Sequence, residues 1–213
     1  MLELQRNLCK GFYAKVSLHM TNGKSPRQRR TPVTPEALKA FAHPLRMTLY
    51  GELAQRGPAT ASQLARALGE SSGQTSYHLR QLERHGFVED DPSHSGGRER
   101  WWRPVGFALN ETDFFVNPDT AIPAREILQQ TIAERAATLT SWLEDFDPAA
   151  STAGQLSATT IELTDEEAEQ LGNELTALIE RHTDEFRDRE PQPGTRRFRL
   201  YADIVPVAGW TQA

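Results

Sequence analysis

The stretch "LGESSGQTSYHLRQLERHG", residues 68–86, has two incompatible readings. Gly69-Glu70-Ser71-Ser72-Gly73 fits the G-x-S-x-G pattern of a hydrolase nucleophile elbow, which would make Ser71 a nucleophile. The same residues also spell a helix stop followed by a helix start, which makes Ser71 a cap. An elbow needs a strand running into it and a helix leaving it. Here "SQLARALG" precedes, with strong helix formers at helical spacing. No Asp and His partners are placed for a triad. A Ser71 hydroxyl that accepts the N–H near Gln74 is also not available to attack a carbonyl. The capping reading is therefore the better one, and the chain is not expected to be an enzyme; a small hydrolase is the remote alternative.

Working outward, Thr60-Ala61-Ser62-Gln63 has the capping-box form, a hydroxyl followed three residues later by Gln. It starts a short helix with Leu64 and Leu68 facing inward and Gly69 at its C-terminal cap. Ser71-Ser72-Gly73-Gln74 is a second capping box. Two short helices across a glycine-containing turn form a helix-turn-helix signature. Upstream, Thr34-Pro35 opens a helix with Pro35 at N1, where its missing N–H costs nothing. His43-Pro44 ends that helix, because the residue before proline avoids helical geometry. Leu45, Leu49 and Leu53 give the next helix, Leu45 to Arg56, one apolar face, and Gly57-Pro58 stops it. Downstream of Gly86, "FVEDD" and "ERWWRPV" read as strands joined by the tip "PSHSGGR". That hairpin is a wing, and the whole order is that of a winged helix. Trp101 and Trp102 fall on opposite faces of their strand, one toward the core.

On a helical wheel from Ser71 to Arg84, Thr75, Leu79 and Leu82 cluster as the core face. Gly73, Gln74, Tyr77, Arg80, Gln81 and Arg84 lie opposite, with no carboxylate among them. Such a face suits a nucleic-acid groove: Arg holds guanine O6 and N7 together, and Gln does the same at adenine N6 and N7. Small residues at the N-terminal end, Ser72, Gly73 and Ser76, let the backbone approach the groove floor. Arg98 and Arg100 on the wing are expected to touch phosphate, although Glu99 between them weakens the local field. His78 and His85, seven apart on the helix, read as packed or capping histidines rather than a metal pair, and His43 as a turn residue.

Past Phe107 the chain changes character. Residues 121–146 read as a long helix with Leu128, Ile132, Leu139, Leu143 and Phe146 along one stripe. That stripe, with Trp142, is expected to be a dimer surface. "TTIELT" (159–164) and "RRFRLYADIV" (196–205) read as strands, the second with Phe198, Leu200, Ala202 and Ile204 on one face. Between them lies a helix opened by a capping box at Thr164–Glu167, with the stripe Ala168, Leu171, Leu175, Leu178, His182 and Phe186.

Composition agrees with a split function. The net charge is -5 over 213 residues. Residues 20–105 hold 13 Lys/Arg against 8 Asp/Glu, whereas residues 106–213 hold 8 against 20. The first part can meet a polyanion and the second is repelled by one. Arg27, Arg29 and Arg30 form a basic arm suited to nonspecific phosphate contact. A single cysteine, Cys9, excludes an intrachain disulfide or a multi-thiolate metal site within one chain. No run approaches the roughly 18 apolar residues of a membrane span, and the N-terminus has no secretory core, so the expected location is the cytoplasm. Asn110-Glu111-Thr112 is then a chance glycosylation match, and Met20 opens a more ordinary composition than residues 1–19.

"AHPLR" (42–46), the S-x-x-x-S-Y-H-L-R-x-L pattern starting at Ser72 with Ser76, Tyr77, His78, Leu79, Arg80 and Leu82, and "HGFVE" before the wing occur together. As a set they resemble the winged-helix domain of the arsenic-repressor-like (ArsR) bacterial transcription regulators, over about residues 35–105. The resemblance implies a dimeric DNA-binding repressor, often released by an effector, with base-reading positions at Ser72, Gly73, Ser76 and Tyr77. Metal-sensing members carry paired cysteines in the helix before the recognition helix. "TASQLARALG" has none, so the chain is placed in a non-metal-sensing branch.

The expectation is a mainly α (α+β) chain. Residues 1–33 are a flexible extension with a basic arm, 34–106 the winged helix-turn-helix, and 107–213 a helical dimerisation and effector region with a small antiparallel sheet. The expected DNA-binding residues are Ser72, Gly73, Gln74, Ser76, Tyr77, Arg80, Arg84, Arg98 and Arg100. Expected partners are double-stranded DNA, a second copy and an unidentified small effector, with no membrane, no cofactor and no metal. The rival reading is a winged helix used for protein–protein contact, which would place apolar or acidic residues on the exposed helix face.

Overall fold

The computed structural model describes residues 18–20, 33–94, 98–109, 113–147, 154–186 and 192–207, which fall in two compact units, one ending at Phe146 and the other starting at Asp147. The break therefore follows the long helix rather than preceding it near residue 107. The basic arm, Cys9, the glycosylation match and the wing tip 95–97 lie outside the described residues.

The first unit begins with β1 (Leu18–Met20), α1 (Pro35–Phe41), α2 (Pro44–Arg56), β2 (Ala59–Thr60), α3 (Ala61–Leu68) and α4 (Ser72–Arg84). It continues with β3 (Val88–Asp90), a 3-10 turn at Pro92–His94, β4 (Trp101–Pro104), β5 (Phe107–Leu109), α5 (Asp113–Val116) and α6 (Ala121–Glu144). β4 is the middle of a three-stranded antiparallel sheet, pairing Ala59↔Trp102 with β2 and Glu89↔Arg103 with β3. The architecture is mainly helical with this small sheet, a winged helix-turn-helix.

Local chemistry fixes the helix ends. The Thr34 hydroxyl accepts the Ala37 N–H at 3.2 Å, and Pro35 sits at N1. Both halves of the Thr60–Gln63 box form, and Gly69 closes α3 at φ 69°, a left-handed cap that side chains resist. Ser71 accepts the Gln74 N–H at 3.2 Å, but only this serine half of the second box forms. Replacing Ser71 by alanine should therefore destabilise the chain by about 1 kcal/mol in urea denaturation. A cost near zero would show that the cap does not hold α4.

Behind the helix-turn-helix, four aromatic rings form the centre of the core. Phe41 meets Tyr50, Phe87 and Phe107 at centroid distances of 5.3, 4.6 and 4.9 Å. The Tyr50 hydroxyl donates to the Val105 carbonyl at 3.0 Å, so α2 is bolted to the segment leaving the wing. Leu49, Leu53, Leu79 and Leu82 are fully enclosed, while Leu45 is half-buried.

Two expectations are corrected. The N-terminal extension is not wholly apart from the fold: β1 pairs antiparallel with β5, Leu18 opposite Leu109. Nothing local marks a three-residue strand whose partner lies some 90 residues away. In the second unit, α7 (Asp165–Phe186) begins with its Thr164–Glu167 box formed on both sides, but residues 159–164 and 196–205 join no ladder. Alternation marks a half-buried strand only where a surface exists to bury one face. Phe198 and Leu200 stay exposed, and a ribbon of two short strands is marginal alone. Ile204 lies against α7, its Cδ1 3.8 Å from where a Gly172 Cβ would stand.

Candidate nucleic-acid interface

α4 presents two faces of opposite character. Thr75, Leu79 and Leu82 are at most 1% exposed and pin the helix to the core. Ser72, Gly73, Gln74, Tyr77, Arg80 and Arg84 are exposed, and Ser76 and Gln81 are half-buried. Tyr77 is 56% exposed, unusual for a ring on a helix otherwise well seated. A Cβ on Gly73 would meet nothing within 4 Å, so its lack of a side chain serves no internal packing. The opening amides of α4 precede its first i→i−4 bond, and such helix starts attract phosphate oxygens. No acidic side chain lies on this exposed face; Glu83, the nearest on the helix, is half-buried and tied off by the wing.

That tie changes the reading of Arg100. Its guanidinium donates to Glu83 Oε2 at 2.9 Å and to Asp90 Oδ2 at 2.6 Å, with further bonds to the other oxygens of both carboxylates. It also lies 4.1 Å over the buried Trp102 ring, a cation–π contact. The hydrogen bonds from Asp90 and then Glu83 raise its pKa further above the usual arginine range. Arg100 is thus engaged in fastening the wing to α4, a role with which its expected DNA contact would have to compete. Sequence could not reveal this, because the partners stand 10 and 17 residues away on other elements. Arg103 is likewise paired with Glu89, its Nε donating at 2.8 Å. Arg98 is exposed. Glu99 accepts from Ser62 Oγ at 2.6 Å, which ties the wing to α3.

Asp91, Ser93 and His94 also converge, yet not as a catalytic triad. Ser93 Oγ donates to Asp91 Oδ2 at 2.8 Å, and His94 Nδ1 sits 2.7 Å from the same oxygen. A triad instead interposes the imidazole, using two different ring nitrogens, between hydroxyl and acid. The cluster locks the turn after β3, with His94 stacked on half-buried Trp101 at 4.0 Å.

One cluster was not anticipated from sequence. His78 on α4 is buried, and its ring lies tilted at 36° against that of His43, at the start of α2, with centroids 4.6 Å apart. Nδ1 of each ring is buried without a hydrogen-bond partner. Arg46, next to them, donates its Nε to the Ala40 carbonyl. Burial pushes both histidines below their ordinary pKa. Arg46 adds to this for His43, against a smaller opposing pull from its own backbone, and His43 then Arg46 add to it for His78, against an opposing pull from Glu70. The signal was present in "AHPLR" and "SYHL", but the two pieces are far apart in sequence and each alone reads as local structure. His85 caps α4 and stands apart from the pair. Among the described residues no three His, Cys, Asp or Glu side chains are grouped to hold a metal ion.

A helix-turn-helix domain family matches residues 41–91. Among solved structures, the chain is similar to a double mutant of Lactococcus lactis ZitR in apo form: 17% identity, 69% of this chain and 85% of that one covered, TM-score 0.27. A second structure of that mutant gives 15% identity over 85% and 92% of the two chains, TM-score 0.27. No curated protein matches the chain.

Proposed function

We propose that this chain is a sequence-specific DNA-binding transcription regulator of the ArsR-like kind, acting as a homodimeric repressor on an inverted-repeat operator. The observation that carries the reading is the acid-free exposed face of α4, held rigidly by the buried Thr75, Leu79 and Leu82. A rigid helix bearing Gln and Arg side chains matches major-groove readout, in which bidentate pairs discriminate bases. In this reading Ser72, Gly73, Gln74, Ser76 and Tyr77 face the bases, Arg80 and Arg84 follow the groove, and exposed Arg98 meets phosphate. The protein–protein rival is disfavoured because that face is neither apolar nor acidic. The lack of cysteine in "TASQLARALG" supports a reading without thiolate metal sensing. The part beyond residue 107 supplies the dimer contact and has room for an effector. No helix among the described residues is long and apolar enough to cross a membrane, in keeping with a regulator working in a bacterial cytoplasm.

The test is selection from random-sequence duplexes by the purified full chain. An enriched inverted repeat, with half-sites about one helical turn or roughly 34 Å apart, is expected; recovery without sequence preference would overturn the reading. On the selected duplex, Arg80→Ala should weaken binding by about 1–3 kcal/mol and relax preference at one position if Arg80 reads a base. A uniform loss with a salt slope shallower by about one assigns it to phosphate instead. Unchanged binding would remove Arg80 from the interface.

A further inference from the structure

We propose that the contacting pair His43 and His78 is a proton-sensitive joint, through which acidification unseats the recognition helix α4 and lowers operator affinity. This rests on the DNA-binding reading above and adds a mode of regulation to it.

Geometry makes the case. α4 is held by an apolar face, by the Glu83–Arg100 tie to the wing and, at His78, by a buried ring against the ring of His43. His43 stands where α1 gives way to α2, and it caps α2 without a side-chain hydrogen bond. The joint therefore connects the recognition helix to the helix pair behind it. Both Nδ1 atoms face protein and neither has a hydrogen-bond partner. A neutral imidazole tolerates one such nitrogen as an unused acceptor. Protonation turns it into a charged N–H that must donate, and neither buried Nδ1 has a hydrogen-bond partner in place; only its own backbone favours the charged form of His43, and burial and Arg46 outweigh it.

The surrounding charges set the direction. From α2, Arg46 brings a guanidinium whose Nε is taken up by the Ala40 carbonyl, and no salt bridge to it is formed among the described residues. From the α3–α4 turn, Glu70 is the one carboxylate whose field favours the charged form of His78, and it acts less strongly than burial, His43 or Arg46. From α4, Tyr77 sets its ring edge-on to His78 at 5.2 Å. One proton on the pair thus sits beside a fixed cation, and a second would place two like charges in rings whose centroids are 4.6 Å apart. Both groups bind protons less well folded than unfolded. Stability is therefore complete above the ordinary histidine value of about 6.5 and falls as pH drops through it toward the depressed folded values. Loosened seating of α4 misaligns Tyr77, the next residue, together with Arg80. A DNA phosphate nearby would pull the other way, favouring protonated rings and tighter binding in acid. The two mechanisms thus predict opposite slopes.

The experiment uses the full chain and the duplex enriched at about pH 8, at fixed salt. Affinity is measured from about pH 8 to about pH 5.5 for the parent protein and for His78→Gln, whose side chain stays neutral across that range. The expected result is an affinity fall of about tenfold or more for the parent, roughly one pH unit of differential protonation, and under about threefold for His78→Gln. Equal or tighter binding of the parent in acid overturns the joint, and so does an equal fall in the variant. If selection yields no preferred duplex, the DNA reading fails on its own. The joint is then judged by imidazole resonances of the full chain: titration of His43 and His78 below the ordinary value supports it, and titration at or above that value overturns it. If His78→Gln does not fold, the parent's imidazole titration and pH slope decide by the same criteria.

Discussion

Replacing Phe41 by alanine should remove about 3–5 kcal/mol of stability, a large part of the roughly 5–15 kcal/mol that holds an ordinary domain together. Phe41 is 4% exposed and, like Phe107, meets all three other rings of the aromatic cluster. Those rings come from α2, from the residue that precedes β3, and from β5, so the lost volume is shared by several of the elements packed behind α4. The site collapses poorly, because Tyr50 is fixed at its far end by the hydroxyl bond to the Val105 carbonyl. Large-to-small substitutions cost most where neighbours are pinned in this way. In a unit of this size the loss corresponds to a fall in melting temperature of roughly 15 °C or more, read by circular dichroism on the full chain. A loss under about 1 kcal/mol would mean that the cluster is not the centre of the core. Ser71→Ala, by contrast, removes a single exposed cap bond and touches none of this.

The two substitutions also show which parts of the fold the sequence makes legible. Caps at Thr34, Thr60, Ser71 and Thr164 were readable because capping is settled within four residues. The core face of α4 was readable because burial repeats with the helix period, and Thr75, Leu79 and Leu82 are indeed enclosed. Trp101 and Trp102 divided between two faces as strand alternation requires, Trp102 inward. What local pattern does not carry is pairing across the chain. β1 with β5, the Arg100 clamp on Glu83 and Asp90, and the His43–His78 ring contact each join residues whose own neighbourhoods give no hint of the other. The same limit explains the failed strands at 159–164 and 196–205. Alternation reports which residues want burial, but not whether a surface is there to receive them.

That distinction leads to the second large effect, on α6. This helix runs for 24 residues, yet only Ala124 and Ile127 are buried within the unit. Ile132 and Leu143 are each 66% exposed and lie three turns apart on one side, with Leu128 and Leu139 half-buried along the same stripe. Dispersed surface leucines need no explanation, but an aligned apolar stripe on a regular helix marks an interaction face. A second copy meeting it about a two-fold axis pairs the stripe with itself, and the same symmetry supplies the two recognition helices that an inverted repeat demands. Under that proposal Ile132→Glu combined with Leu143→Glu should convert the chain to monomers, measured by sedimentation at micromolar concentration. Binding to a two-half-site duplex should fall by roughly 10²–10⁴, because the second half-site contact ceases to be intramolecular. Binding to an isolated half-site should change less than about twofold, since neither residue lies on α4 and the core positions are untouched. A double variant that still sediments as a dimer would move the contact off this stripe. A monomer that keeps full affinity for the inverted repeat would show instead that the two half-sites are read independently, and the two-fold operator model would fall with it.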